Sequence, residues 1–481
     1  MEEYKNFAQK IGLVGITHIV VALSSLILLP IITKNLSISE YGVWVQITVT
    51  IGLIPTIATL GLPYSMNRFL SHSIDKKEIL EGFYSIIFVI IFVSILISLI
   101  FYIFSNNIAY YLLDGYENLA ILLSLIIFVS CLFNPVLNYF RAVQSIRVYS
   151  LFLLLQTLLN LGLVIISIYL GYGLFGAIIG VLLSYIILVL ISFLVIYNEI
   201  GFSFPHFQNI KEYLKFGLPT IPSNLSYWIV ESSDRYIIGL LLGPALVGYY
   251  SPGYALGSIL SFFLVPFSTL LLPTLSEKYD KGETVKVEHF LNYSLKFYLL
   301  ITIPSVFGIS ILAKPLLFIL TTPEIAASSY YITPFIAISS LIYGIYGIIA
   351  HPLILAKKTK ILGIFWILAS ILNIIINITL IPVIGIIAAA ISTLIVYGVV
   401  LLLSIFYTRE NFKLKLDIRW LLKIILTSLL MSLIISFIAP YGIFELILVI
   451  VLSSSFYFLI LFFFGVIDKK EMKFLKILFK N

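Results

Sequence analysis

Residues 11–33 read IGLVGITHIVVALSSLILLPIIT, an unbroken run without one Asp, Glu, Lys or Arg, closed by Lys34. A helix that crosses the roughly 30 Å hydrocarbon core of a bilayer needs about 20 predominantly apolar residues, because it rises about 1.5 Å per residue. The run is long enough to cross. It is too long for the apolar part of a secretory signal and no small-residue cleavage site follows it, so it is read as a first membrane span.

The same pattern recurs down the chain. Further spans are expected near 43–62, 83–104, 119–139, 151–170, 174–197, 217–242, 247–272, 293–313, 330–355, 361–381, 383–406, 420–438 and 443–465, about fourteen in all. Composition agrees. Of 481 residues, 61% are apolar and 11% charged, whereas soluble domains run at about 45–50% and about 25%. No soluble packing hides that much apolar side chain from water. The expected class is an all-α integral membrane protein. Breaker residues mark several junctions: Gly171-Tyr-Gly173, Gly243-Pro244, Pro382 and Pro440-Tyr-Gly442.

The net charge of +7 does not point to nucleic acid, because the basic residues sit in short clusters between apolar runs. With the N-terminus placed in the cytoplasm and the spans alternating, only Lys34 and Lys314 of the 29 Lys and Arg residues fall outside, and Arg235 falls within a span. A missed helix would reverse every later loop and destroy that bias. The expected location is a cytoplasmic (plasma) membrane, multi-pass, with both termini inside. The single cysteine, Cys131, lies in an apolar run and allows no intramolecular disulfide.

Internal similarity is weak but ordered. Asn35-Leu-Ser-Ile-Ser-Glu-Tyr-Gly42-Val-Trp44 resembles Leu241-Leu-Gly-Pro-Ala-Leu-Val-Gly248-Tyr-Tyr250, which pairs Gly42 with Gly248. Gly61-Leu-Pro63 before Arg68 parallels Leu271-Leu-Pro273 before Lys278. Leu159-Asn160 leading to Gly173-Leu-Phe-Gly-Ala177 parallels Leu372-Asn373 leading to Gly385-Ile-Ile-Ala-Ala389. Three matches in one order suggest repeated six-helix halves at 1–209 and 210–408, followed by two additional helices and a basic tail at 409–481.

The first-span exit Lys34 to Trp44, the segment Asp234-Arg-Tyr-Ile-Ile-Gly-Leu-Leu-Leu-Gly-Pro-Ala-Leu-Val-Gly-Tyr-Tyr-Ser251 and the stretch Leu372-Asn373 through Ile381 to Ala390, above all the middle one, resemble the polysaccharide-biosynthesis (O-antigen or lipid-linked oligosaccharide) flippases of the multidrug/oligosaccharidyl-lipid/polysaccharide exporter superfamily. The resemblance implies a V-shaped pair of six-helix bundles plus two C-terminal helices, working by alternating access. It implies a polyprenyl-phosphate- or pyrophosphate-linked sugar as cargo, and glycosyltransferases or a polymerase of the same pathway as partners.

Charge inside a span costs roughly 2.5–3.5 kcal/mol on insertion scales and by default marks a functional site. Here it is concentrated in the seventh span, where Glu231, Asp234 and Arg235 share a helix face with Tyr227 and Asn224. Two readings stand. The stripe lines a wet cavity in which Arg235 meets phosphate and the carboxylates meet cations or sugar hydroxyls, or Glu231 and Arg235 form a structural i,i+4 pair while Asp234 bonds a neighbouring helix. Arg68 and Arg141 close inner helix ends, as loading of an anionic head group and the ordinary topology bias both require; Asn134, Asn138 and Gln144 neighbour Arg141. His18 and His351 are isolated imidazoles, either proton sites or interhelical bonds. Gln46, Gln156, Asn160 and Asn373 suit sugar hydroxyls or interhelical hydrogen bonds.

No catalytic group and no metal site are expected. The chain has no phosphate-binding G-x-x-x-x-G-K-[ST] loop, no metal spacing among its five histidines and no H-E-x-x-H or G-x-S-x-G motif. No cofactor is implied beyond a coupling cation, H+ or Na+. Asn35-Leu-Ser37 forms a glycosylation sequon beside the membrane. The function expected is a transporter, not an enzyme. The alternatives are a cation-coupled multidrug exporter, which normally needs twelve spans, a lipid II flippase, which usually carries more cavity arginine, and a membrane glycosyltransferase or polymerase, which needs a larger outer loop.

Overall fold

A computed structural model describes residues 2–72, 75–409, 417–438, 440 and 442–465. Among them every regular element is helical. In chain order these are α1 (Glu2–Asn35), α2 (Ile38–Ala58), α3 (Leu62–Phe69), α4 (Lys76–Ile103), α5 (Ser105–Leu112), α6 (Glu117–Ala142), α7 (Ile146–Tyr169), α8 (Gly173–Ile200), α9 (Ile210–Gly217) and α10 (Ile221–Leu242). They continue with α11 (Pro244–Ser258), α12 (Val265–Asp280), α13 (Thr284–Leu320), α14 (Pro323–Ser329), α15 (Ile332–Ile349), α16 (His351–Leu355), α17 (Thr359–Ile384), α18 (Ile387–Thr408), α19 (Ile418–Ile438) and α20 (Ile443–Phe463).

Thirteen helical stretches among the described residues are long and apolar enough to cross a membrane. The fourteenth expected span is α10, 22 residues long, whose Glu231, Asp234 and Arg235 set it apart from the rest in polarity.

Helix ends follow local chemistry. At the start of α2 the Ser37 hydroxyl accepts the Glu40 N–H at 3.2 Å while Glu40 Oε2 accepts the Ser37 N–H at 2.8 Å, a reciprocal cap that satisfies two otherwise orphaned donors. Gly61, at φ +67°, turns the chain from α2 into α3. Four expectations shift. The turn placed at Pro382 occurs at Gly385, whose φ of +69° is the left-handed conformation that glycine admits at a helix end. The span expected at 247–272 is broken by a 3-10 stretch, Ile259–Leu264, between α11 and α12. The span at 330–355 is cut before Pro352, where α16 begins. The span at 293–313 is the middle of a 37-residue helix, α13, that accommodates both Pro304 and Pro315.

Packing groups the chain into two compact units, residues 9–248 and residues 249–481 with 1–8. The division falls after the seventh span, whereas the sequence repeat begins before it at residue 210: α10 packs against α2.

In the first unit α4, α6, α7 and α8 close around Phe83, Tyr139, Phe140, Phe152 and Leu188, all buried. In the second, α13 packs on α15 and α19, α17 on α18, and α19 on α20, around Tyr298, Leu299, Ile424 and Tyr457. The last helix is tied in by the Tyr457 hydroxyl, which donates to the Leu300 carbonyl at 2.8 Å. In lipid no hydrophobic force drives helices together, so close packing and interhelical hydrogen bonds carry the association.

Candidate functional site

The charged stripe sits on α10, and α2 runs antiparallel along it. The two helices meet at successive turns. Thr50 and Tyr236 share a hydroxyl hydrogen bond of 2.5 Å. Gln46 Nε2 donates to the Arg235 carbonyl at 2.8 Å. A Cβ at Gly239 would lie 1.9 Å from that same Gln46 nitrogen, so a side chain there would push the amide from this position.

Within this contact Asp234 and Arg235 are buried. Arg235 Nη1 donates to Asp234 Oδ1 at 2.7 Å and also to the Glu231 main-chain oxygen. The Asp234 carboxylate accepts the Arg235 N–H at 2.9 Å. Asp234 and Arg235 thus form an ion pair within the stripe, although adjacent helical residues do not normally face each other. Glu231, one turn earlier, is half-buried and hydrogen-bonded by Tyr227. Tyr41, buried on α2, lies within electrostatic reach of Arg235, a neighbour for which the sequence carries no signal.

One end of the first unit holds a second polar group. Gly61 and Gly217 meet backbone to backbone, a Cβ at Gly61 falling 2.2 Å from the Gly217 carbonyl oxygen. The Ser65 hydroxyl donates to the Tyr213 carbonyl at 2.6 Å. That contact seats α9 against α3 and places Phe216 under Arg68, whose guanidinium lies 5.1 Å from the ring centroid. Arg141 lies 5.5 Å from the Tyr149 ring. Both arginines are exposed. Asn224, at the start of α10, accepts a 3.3 Å bond from the Tyr64 hydroxyl.

The remaining candidates stand apart. His18 is half-buried on α1. His351 is buried, its ring 3.2 Å from the Ile348 carbonyl. Gln156 donates to the Tyr185 hydroxyl at 3.2 Å, and Asn160, one turn on along α7, keeps a buried side-chain oxygen without a hydrogen bond. Asn373 belongs to the second unit. It is fully buried, its amide 3.1 Å from Ser392 Oγ and its oxygen accepting from Asn377 at 3.0 Å. The structure thus brings Glu231, Asp234, Arg235 and Tyr227 together, and gathers Arg68, Arg141 and Asn224 among polar and aromatic neighbours. Among the described residues no cluster of three metal-ligating side chains occurs.

The sequence matches the family described as Polysaccharide biosynthesis protein over residues 7–278, and the family MatE over residues 219–379. Among curated proteins it is 24% identical over 126 residues to the probable low-salt glycan biosynthesis flippase Agl15 of Haloferax volcanii, covering 26% of this chain and 27% of that one. It is 30% identical over 168 residues to an uncharacterized membrane protein of Haemophilus influenzae, covering 34% and 41%. The chain therefore spans less than half the length of each of these relatives. Among solved structures the fold is similar to the inward closed conformation of lipid II flippase MurJ, with a TM-score of 0.79 at 19% identity over 96% of this chain and 100% of that one. It is also similar to an inward-facing multidrug resistance MATE family transporter, with a TM-score of 0.67 at 16% identity over 82% and 97%. With more than half of its length inside the first of these matches, the chain belongs to the polysaccharide biosynthesis protein family.

Proposed function

We propose that this protein is a flippase that carries a lipid-linked oligosaccharide across the cytoplasmic membrane by alternating access, for assembly of a surface polysaccharide or glycan. The observation that supports this reading best is the family match over residues 7–278, which takes in both α2 and the charged helix α10. A buried Asp234–Arg235 pair inside an apolar bundle is a costly feature, and intramembrane charge of this kind is kept where it serves transport.

In this reading the cargo is a sugar joined to a polyprenyl phosphate or pyrophosphate. Arg68 and Arg141 meet its anionic head group at the inner side, and the Glu231–Asp234–Arg235 stripe with Tyr227 and Asn224 lines the path. His18, Asn160 and, in the second unit, Asn373 are the further cargo contacts of this reading, and H+ or Na+ couples the cycle. The protein works beside glycosyltransferases or a polymerase of the same pathway. Both termini are cytoplasmic, which the distribution of Lys and Arg supports. The sequence repeat supports an organisation of six helices (1–209), six more (210–408) and a final pair with a basic tail (409–481).

A second reading, a flippase for a peptidoglycan precursor, is favoured by the likeness to the MurJ structure over nearly the whole chain, which at 19% identity is a likeness of fold. Reconstitution into liposomes tests both. A fluorescent polyprenyl-pyrophosphate-linked sugar in one leaflet should reach the other faster with the protein than without it. No acceleration would refute the first reading, and acceleration of lipid II alone would establish the second.

A further inference from the structure

The helix faces between Arg141 and Asn224 carry an array of amides that the α10 stripe does not use. On α6, Asn134, Asn138 and Arg141 follow at i, i+4 and i+7 and so share one face. Asn67 Nδ2, from α3, donates to Asn138 Oδ1 at 2.9 Å. Asn138 Nδ2 in turn donates to the Asn134 side-chain and main-chain oxygens, each at 3.0 Å. Beside this ladder the Tyr64 ring is 49% exposed and holds Asn224 through its hydroxyl.

Asn134 is exposed, yet it lies eight residues, about 12 Å, inside the end of a helix apolar enough to span a membrane. An amide facing hydrocarbon at that depth loses its water, and here only its oxygen has a partner, Asn138 Nδ2. Helix packing does not account for it either, since the side chain is outside any tight interface. The ladder spends one donor and one acceptor at its centre. It leaves the Asn134 NH2, Asn67 Oδ1 and the Asn224 NH2 to bond something else.

We propose that Tyr64, Asn67, Asn134, Asn138 and Asn224 form a carbohydrate-binding strip, and that the sugar of the cargo lies along it while its phosphate stays at Arg68 and Arg141. Donors and acceptors alternating along a neutral surface match vicinal hydroxyls, each of which both donates and accepts. The Tyr64 face supplies the apolar platform on which a pyranose ring packs. An anion is not the partner of the strip itself, because its five side chains carry no charge. The order also fits the cargo. Phosphate joins tail to sugar, so with the tail in the inner leaflet the phosphate stops at the arginines and the sugar reaches further in.

This inference rests on the flippase reading, and binding separates the two. Purified full-length protein is titrated with polyprenyl pyrophosphate, with and without an attached N-acetylhexosamine. The sugar-bearing lipid should bind about tenfold more tightly than the bare one. Asn134→Ala should abolish that increment and leave the affinity for the bare lipid unchanged, whereas Arg68→Gln should weaken both lipids equally. Asn138→Ala should behave as Asn134→Ala. If it does not fold, Asn134→Ala, at the exposed end of the ladder, decides alone. An increment that survives Asn134→Ala, or wild-type protein that shows none, overturns the strip. The flippase reading fails separately, if protein that shows the increment moves no lipid between leaflets.

Discussion

Gly42 and Gly248 face each other across one helix crossing, and each is pressed against the chain segment that carries the other. A Cβ on Gly42 would fall 1.8 Å from the Pro244 carbonyl oxygen, and a Cβ on Gly248 would fall 2.5 Å from that of Ile38. Ile38 precedes Gly42 by the same number of residues as Pro244 precedes Gly248. The contact is therefore of the two-fold kind, in which residue i meets j and the equivalent of j meets the equivalent of i. The pairing of these two glycines in the sequence repeat is also a pairing in space.

Backbone carbonyls cannot move aside as a flexible side chain can, so bulk at either glycine must spread the helices. Gly42→Val should destabilise the protein by about 1–3 kcal/mol, the usual cost of overpacking. The check is the midpoint of thermal unfolding in detergent, read beside Gly15→Val, where a Cβ meets nothing within 4 Å.

The Asp234–Arg235 pair is buried on both sides, with side-chain exposures of 1% and 10%. Removing one partner takes from the other its 2.7 Å ion pair. Asp234→Leu or Arg235→Met alone should each cost about 3–5 kcal/mol. The double substitution should cost less than the sum of the singles, since an apolar pair leaves no uncompensated charge. A double-mutant cycle of unfolding midpoints measures this. Strict additivity would show that the two groups do not interact.

Arg68 and Arg141 are exposed and rest on aromatic rings, so their replacement should leave the fold within about 0.5 kcal/mol of wild type. The proposed role of both in head-group capture predicts a different sensitivity for transport. Arg68→Gln with Arg141→Gln should slow leaflet-to-leaflet transfer of a lipid-linked sugar about tenfold in liposomes at low salt, with the unfolding midpoint unchanged. Full transport by this variant would remove both from the site.

Sidedness is open to labelling, because the chain holds one cysteine and that one, Cys131, is buried. In a Cys131→Ser background, Asn107→Cys should react with a membrane-impermeant maleimide on intact cells and Lys281→Cys should not. The reverse pattern would invert the topology that the Lys and Arg distribution supports.

Much of the architecture is written locally. An uncharged run such as 11–33 has one low-energy solution in lipid, a helix whose own backbone bonds are complete. The turns at Gly171 and Gly243 follow from that constraint with breaker residues, whereas the turn read at Pro382 falls at Gly385. Family resemblance too was legible in the segment around Asp234 and Gly248. What local chemistry does not encode is which side chains of separate helices meet. That Gln46 holds the Arg235 carbonyl and that Asn67 completes a ladder with Asn138 are outcomes of how α2, α3, α6 and α10 pack. Spacing along one helix says which residues share a face. Only the three-dimensional arrangement of neighbouring helices says what that face meets, because in a bilayer nearly every helix is apolar and composition no longer distinguishes one partner from another.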